Sequence, residues 1–297
     1  MLPLQQRNSH PRDSHVRFHK DGHYYTVERG ADCERAPVSV TSFAKAYFQH
    51  FDADAVIQER YPSWKSNVNS KYYSLIQTVL QQGGSDAEAR RAIAQRWVDV
   101  GEEASQAGTR MHEQAEMVCN GLATDPDDRE MEMLREWLSS FQAAMRWEPC
   151  RAEWILWWEE PRIDNRILVA GTLDLLLKSR TTGEYALVDF KRTNPAPKYR
   201  GAPPNLLGPC GNPRFHPGYA LAPLSELENS KYGAYCMQLN ILAKILRGRY
   251  DIDVGHNMYL LQIHADMAQA HCERVPLHKQ ATNALFAIEA ERMRGVS

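Results

Sequence analysis

The chain has 297 residues, a formal charge of −2, 43% hydrophobic and 24% charged residues, a balance ordinary for a globular protein with a sizeable core. No long uncharged apolar run is present, so no membrane span is expected, and near-neutral charge means that any grip on nucleic acid has to come from a local patch. The six cysteines (Cys33, Cys119, Cys150, Cys210, Cys236 and Cys272) are scattered without a C-x-x-C spacing. A zinc or iron–sulfur site built on that spacing is therefore not expected, and the thiols read as reduced in an intracellular protein of the cytoplasm or nucleus.

Residues 1–15 are polar, lack an apolar signal core and read as a disordered tail. Residues 16–28, VRFHKDGHYYTVE, alternate around Asp21-Gly22 and predict a small hairpin. Thr41 or Ser42 is a candidate N-cap for a short helix to Tyr47, and a second short helix is expected from Asp52. Helical patterns follow over 71–82 and 86–117, broken at Gly83-Gly84, and over 127–145. In the last, Met131, Leu134, Leu138, Phe141 and Met145 fall on one face. The pattern then changes. RAEWILWWEE, RILVAGTLDLLLK and EYALVDFKR are strand-like, separated by Pro161 with Asp164-Asn165 and by Thr182-Gly183. Residues 194–224 read as a long Pro/Gly-rich loop. A helix over 230–249, a fourth strand in NMYLLQIHA and a closing helix over 276–294 complete the order. The expectation is one α/β domain with a mixed central sheet flanked by helices: a helical elaboration over 16–107, then a core over 108–297.

Two runs that otherwise look buried carry Asp174, Asp189 and Lys191. Strand side chains alternate faces, so Asp189 and Lys191 share one, and pairing of the neighbouring strands as a hairpin brings Asp174 beside Asp189. Two converging carboxylates repel and raise a pKa, and a hard divalent cation with a preference for oxygen ligands removes the conflict. Lys191 then holds the attacking water or steadies a phosphate. A structural Asp–Lys pair at a strand end is the plain alternative. Lys191, Arg192, Lys198 and Arg200 form a basic run suited to phosphate. Trp154, Trp157 and Trp158 are expected to pack in the core rather than to stack on bases.

G-T-L-D-L-L at 171–176 followed by Y-A-L-V-D-F-K-R at 185–192 resembles the PD-(D/E)xK nuclease superfamily, in its RecB-like or phage-type exonuclease branch. G-T-R-M-H at 108–112 is similar to that branch's G-T-x-x-H, Glu153 stands where many members carry an acid, Y-C-M-Q-L-N-I-L at 235–242 resembles the Q-x-x-x-Y helix, and P-V-S-V-T-S-F at 37–43 resembles the P-S-V-T segment. Leu242 stands in place of the family's tyrosine, Asp189 in place of the commoner glutamate, and the cysteine quartet of the iron–sulfur subgroup is absent. The resemblance spans residues 20–265. It implies a restriction-endonuclease-like core and Mg²⁺- or Mn²⁺-dependent hydrolysis of phosphodiester bonds, foremost as an exonuclease on DNA with single-stranded or free ends. Asp174, Asp189 and the Phe190 backbone carbonyl would hold the metal, with His112 and Glu153 completing the sphere, Lys191 acting on the water, and Gln238 on the nucleic-acid side. An imidazole ligand favours Mn²⁺. The order His, acid, Asp, acid, Lys also resembles viral cap-snatching RNA endonucleases, and a non-catalytic nucleic-acid-binding module is the remaining alternative.

Overall fold

The structure, a computed structural model, describes residues 2–30, 32–49, 51–193 and 218–295. The chain divides into two compact units, one of Met1–Gln49 with Met111–Ser297 and one of His50–Arg110, where the sequence suggested one continuous domain. The division also corrects the reading of 16–107 as one elaboration, because residues 16–49 belong with the sheet.

The smaller unit is helical. Helix α3 (Ala53–Ser66) starts at Asp52, whose carboxylate accepts the Ala55 N–H, and α4 (Tyr73–Gln81) follows. Helix α5 (Asp86–Cys119) begins at a reciprocal capping box: Ser85 Oγ accepts from Glu88 N, and Glu88 Oε2 accepts from Ser85 N. Ile57, Tyr61, Tyr72, Ile76, Ala89 and Ile93 form its core.

The larger unit has a three-stranded antiparallel sheet, β1 (Val16–His19), β2 (Tyr24–Arg29) and β3 (Asp32–Arg35). The expected hairpin is thus extended by a third, polar strand. Its main sheet has five strands in chain order: β4 (Trp147–Glu160), β5 (Arg166–Ser179), β6 (Tyr185–Arg192), β7 (Met258–Ile263) and β8 (His271–Arg274). All neighbours are antiparallel except β6 and β7, a parallel pair whose connection includes α7 (Lys231–Arg249). The protein is therefore α/β with a mixed sheet flanked by helices.

Alternation along the strands builds two cores. Leu176, Leu187, Met258 and Leu260 face α2 (Val40–Lys45), α7 and α8 (Lys279–Arg294). Leu175, Val188, Phe190, Leu261 and Ile263 face the end of α5 and α6 (Arg129–Met145). Trp154, Trp157 and Trp158 are buried in the first core. Gly171 admits α2 onto β5, since a Cβ there would lie 2.6 Å from Val40 Cγ2.

The N-terminal residues are packed, contrary to the disordered tail expected. Leu4, in the one-turn helix α1 (Leu4–Arg7), is 1% exposed. Its N–H donates to Asn120 Oδ1, and Asn8 Nδ2 donates to the Cys150 carbonyl. Among the described residues no helix is long and apolar enough to cross a membrane.

Candidate metal centre

The register of the main sheet lines up three acids. Ala152 pairs with Leu175 and Trp154 with Leu173, which puts Glu153 opposite Asp174. The β5–β6 ladder ends at Leu175–Val188, so the next position along it sets Asp174 against Asp189. There the sheet forks. The Asp174 carboxylate takes the place of a ladder partner, its Oδ2 accepting the Phe190 N–H at 2.5 Å. Phe190, expected to offer its carbonyl, touches the site through that N–H.

Helix α5 supplies His112, whose Nδ1 lies 3.2 Å from Glu153 Oε1 and 3.5 Å from Asp174 Oδ1. One ligand atom each from His112, Glu153 and Asp174 falls within 4.8 Å of the others. Glu153 reaches this point from a left-handed backbone, φ 44°, a conformation that non-glycine residues seldom adopt.

Asp189 stands in line with this trio but is held from the other side. Gln238 Nε2 donates to its Oδ1 at 3.0 Å. Lys191 Nζ lies 2.5 Å from its Oδ2, an ion pair that holds this buried oxygen against the ammonium. Gln238 Oε1 accepts from Lys191 Nζ at 3.4 Å, and the ammonium sits 4.6 Å from the centre of the Tyr235 ring. The acids that share the cluster with His112 are therefore Glu153 and Asp174, while Asp189, which the sequence paired with Asp174, is held by Lys191 and Gln238.

Burial raises the Asp189 carboxyl to about 6, with Lys191 opposing the rise and Asp174 adding to it. Burial also raises Asp174, against the pull of His112. For His112, burial acts downward but is outweighed by Asp174 and Glu153, and the imidazole rises to about 9. Lys191 is likewise raised: burial lowers it, and Asp189 and Asp174 overcome that. Three carboxylates thus face two cations, and protons are retained to ease the surplus.

These residues fit a divalent metal ion. The donor set, one imidazole nitrogen with carboxylate oxygens whose ligand atoms lie within 4.8 Å of one another, is suited to Mg²⁺ or Mn²⁺. Cys119, one further turn pair along α5, is not part of the trio, and burial pushes its thiol up so that it stays neutral.

Of the expected phosphate contacts, Arg192 points away. Its Nε lies 2.9 Å from Glu130 Oε1 on α6, on the opposite face of β6 from Lys191. Lys198 and Arg200 lie outside the described residues. The sequence reading missed Lys45 at the end of α2 and Lys231 at the start of α7. Both are exposed, and neither is ion-paired among the described residues. Although the Lys45 residue as a whole is exposed, partial shielding of its amino group, together with the charges of Lys191 and Lys231, lowers it, so the three ammonium groups share one region. A signal was available for Lys231. It precedes Tyr235 by four and Gln238 by seven, the spacing of one helical stripe.

No protein-family model matches the chain, and no curated protein matches it significantly. A solved structure described as "Crystal structure of SSO0001" is similar over 84% of this chain and 89% of its own, at 12% identity and a TM-score of 0.28, a level of similarity that carries no argument about fold or function.

Proposed function

We propose that the protein is a divalent-metal-dependent nuclease with a restriction-endonuclease-like core, hydrolysing phosphodiester bonds and acting foremost as a DNA exonuclease. The observation that carries this reading is the convergence of His112, Glu153 and Asp174 within 4.8 Å at a sheet fork that also holds Asp189 beside Lys191. His112, Glu153, Asp174 and Asp189 would hold Mg²⁺ or Mn²⁺. The bound ion supplies Lewis-acid chemistry, lowering the pKa of a water and offsetting charge on the phosphate.

The chain's own residues do the rest. Gln238 and Asp189 fix the Lys191 ammonium from two sides, and Tyr235 covers it. A cation so held orients a water or a non-bridging phosphate oxygen without searching rotamers at the moment of reaction. Lys45 and Lys231 contribute the positive charge with which an overall anionic chain meets a phosphate backbone. His112 as a ligand favours Mn²⁺, and it is also the residue shared with the cap-snatching pattern. RNA is accordingly an arm of the test.

The deciding experiment incubates the protein with end-labelled linear DNA, circular DNA and RNA, in Mg²⁺, Mn²⁺ or EDTA. Stepwise release of nucleotides from linear DNA, absent in EDTA and on circles, is expected. Metal-dependent cleavage confined to RNA replaces the DNA reading, and no cleavage of any substrate in either metal rejects the nuclease.

A further inference from the structure

Glu153 is the member of the metal trio with the least favourable backbone. At φ 44° it occupies the left-handed region within an otherwise extended strand. Such conformations persist in non-glycine residues where surrounding contacts over-determine them, and they cluster at functional sites. The contacts here come from the far N-terminus. Asp13 lies in a short 3-10 turn, Pro11–His15. Its Oδ2 accepts from Arg151 Nη1 at 2.9 Å, and its Oδ1 accepts from Trp154 Nε1 at 2.7 Å. Arg151 and Trp154 bracket Glu153 by two residues and one. Arg151 Nη1 also donates to the Asn8 carbonyl, and Asn8 Nδ2 donates to the Cys150 carbonyl. The Arg151 guanidinium stacks 4.0 Å from the centre of the Trp154 ring, and its side chain is only 2% exposed. The same segment reaches the end of α5, where the Leu4 N–H donates to Oδ1 of Asn120, the residue that follows the helix. It therefore ties the helix that carries His112 to the strand that carries Glu153.

We infer that the N-terminal segment is a positioning strap for the metal centre, with Asp13 the residue that pins both sides of the Glu153 turn and aims its carboxylate at His112 and Asp174. The inference rests on the metal-site reading above. Asp13 itself touches no proposed ligand atom, and its effect runs through the Arg151–Trp154 frame.

The test is a double-mutant cycle read by Mn²⁺ binding, followed by electron paramagnetic resonance on the full chain. Asp13→Asn is expected to weaken Mn²⁺ several-fold in the wild-type background and to have no further effect in Glu153→Gln, because the carboxylate it aims is gone. Trp154→Phe removes the Nε1 donor while keeping an aromatic side chain, and is expected to act in the same direction with folding intact by circular dichroism. It keeps the question open to decision if Asp13→Asn does not fold. Arg12→Met, elsewhere on the strap at Glu159, is expected to leave Mn²⁺ affinity unchanged. Equal weakening by Asp13→Asn, or by Trp154→Phe, with and without Glu153 overturns the strap while leaving the metal site standing. A wild-type chain that binds no Mn²⁺ overturns both.

Discussion

Two groups of buried charge sit within a few residues of each other on β4, and they are built on opposite principles. At Asp13 and Arg151 the charges match one to one and both carboxylate oxygens have donors. At His112, Glu153, Asp174, Asp189 and Lys191, among the described residues, three acids face two cations. The first arrangement is balanced in charge, one carboxylate to one guanidinium, and the low-dielectric interior rewards that pairing. The second is completed by added positive charge, either protons at low pH or a metal ion. Balance marks the structural pair, and imbalance marks the candidate site.

The contrast predicts opposite outcomes from the same kind of substitution. Asp174→Asn removes surplus charge at the unbalanced site. It should lower cleavage by roughly 10³-fold or more while leaving the metal-free melting temperature unchanged or higher. Near-normal turnover at saturating Mg²⁺ would break the assignment. Asp13→Ala strips the partner from a buried guanidinium and should destabilise by about 3 kcal/mol, measured by urea unfolding. A loss under roughly 1 kcal/mol would mean that the pair is not the structural element described.

Lys191→Ala should depress single-turnover cleavage strongly with metal affinity kept within about a few-fold, since the ammonium touches Asp189 and in the proposed mechanism would act on water or phosphate. Lost metal binding with normal chemistry would reverse that division of labour.

Proton linkage offers a third way to probe the imbalance. Asp189 and His112 are both raised in the folded state, to about 6 and about 9, so the folded chain holds these protons more tightly than the unfolded one. The stability that His112 contributes is fully present below its ordinary value of 6.5 and is lost as pH rises through about 9. For Asp189 the loss begins at its ordinary 3.8 and is finished above about 6. The metal-free protein should therefore melt lower as pH rises from 5 to 9, and Mn²⁺ should recover most at the upper end. His112→Gln should flatten the part of this slope above pH 6.5. A melting temperature that climbs over the whole range contradicts the charge count at the site.

Smaller effects sharpen the picture at its edges. The wild type should be more active in Mn²⁺ than in Mg²⁺, and His112→Ala should narrow the gap, read from initial rates in each metal. Replacing Lys45 and Lys231 together by Ala should flatten the plot of log K against log salt by about one to two units, measured by fluorescence anisotropy in Ca²⁺. An unchanged slope moves the grip elsewhere, with Lys198 and Arg200 next in line.

Local signals were legible in the sequence to the extent that they act within a few residues. Asp52, reading as the start of a helix, caps α3, and the strand-like runs around Asp174 and Asp189 became β5 and β6. The short strands β3, DCER, and β8, HCER, escaped because three polar residues and one cysteine carry no alternation, and it is pairing with β2 and β7 that makes them strands. The tail was misread for a related reason. Its order comes from polar contacts to β4 across more than a hundred residues, such as Arg151 to Asp13, and composition carries no trace of them.

At the site, the sequence by itself determined that Asp189 and Lys191 share a face and that Asp174 meets Asp189 if the two strands pair, because strand alternation and hairpin register are properties of the backbone. It also marked His112 and Glu153 as residues to watch, through the resemblance alone. Only the tertiary structure decided that Glu153, from a left-handed backbone, joins His112 and Asp174 in one cluster, with Asp189 drawn to Lys191 and Gln238. It decided too that Arg192 answers to Glu130 rather than to solvent. Those choices depend on which helix covers which face of the fork, and packing between distant segments settles that where no local spacing can.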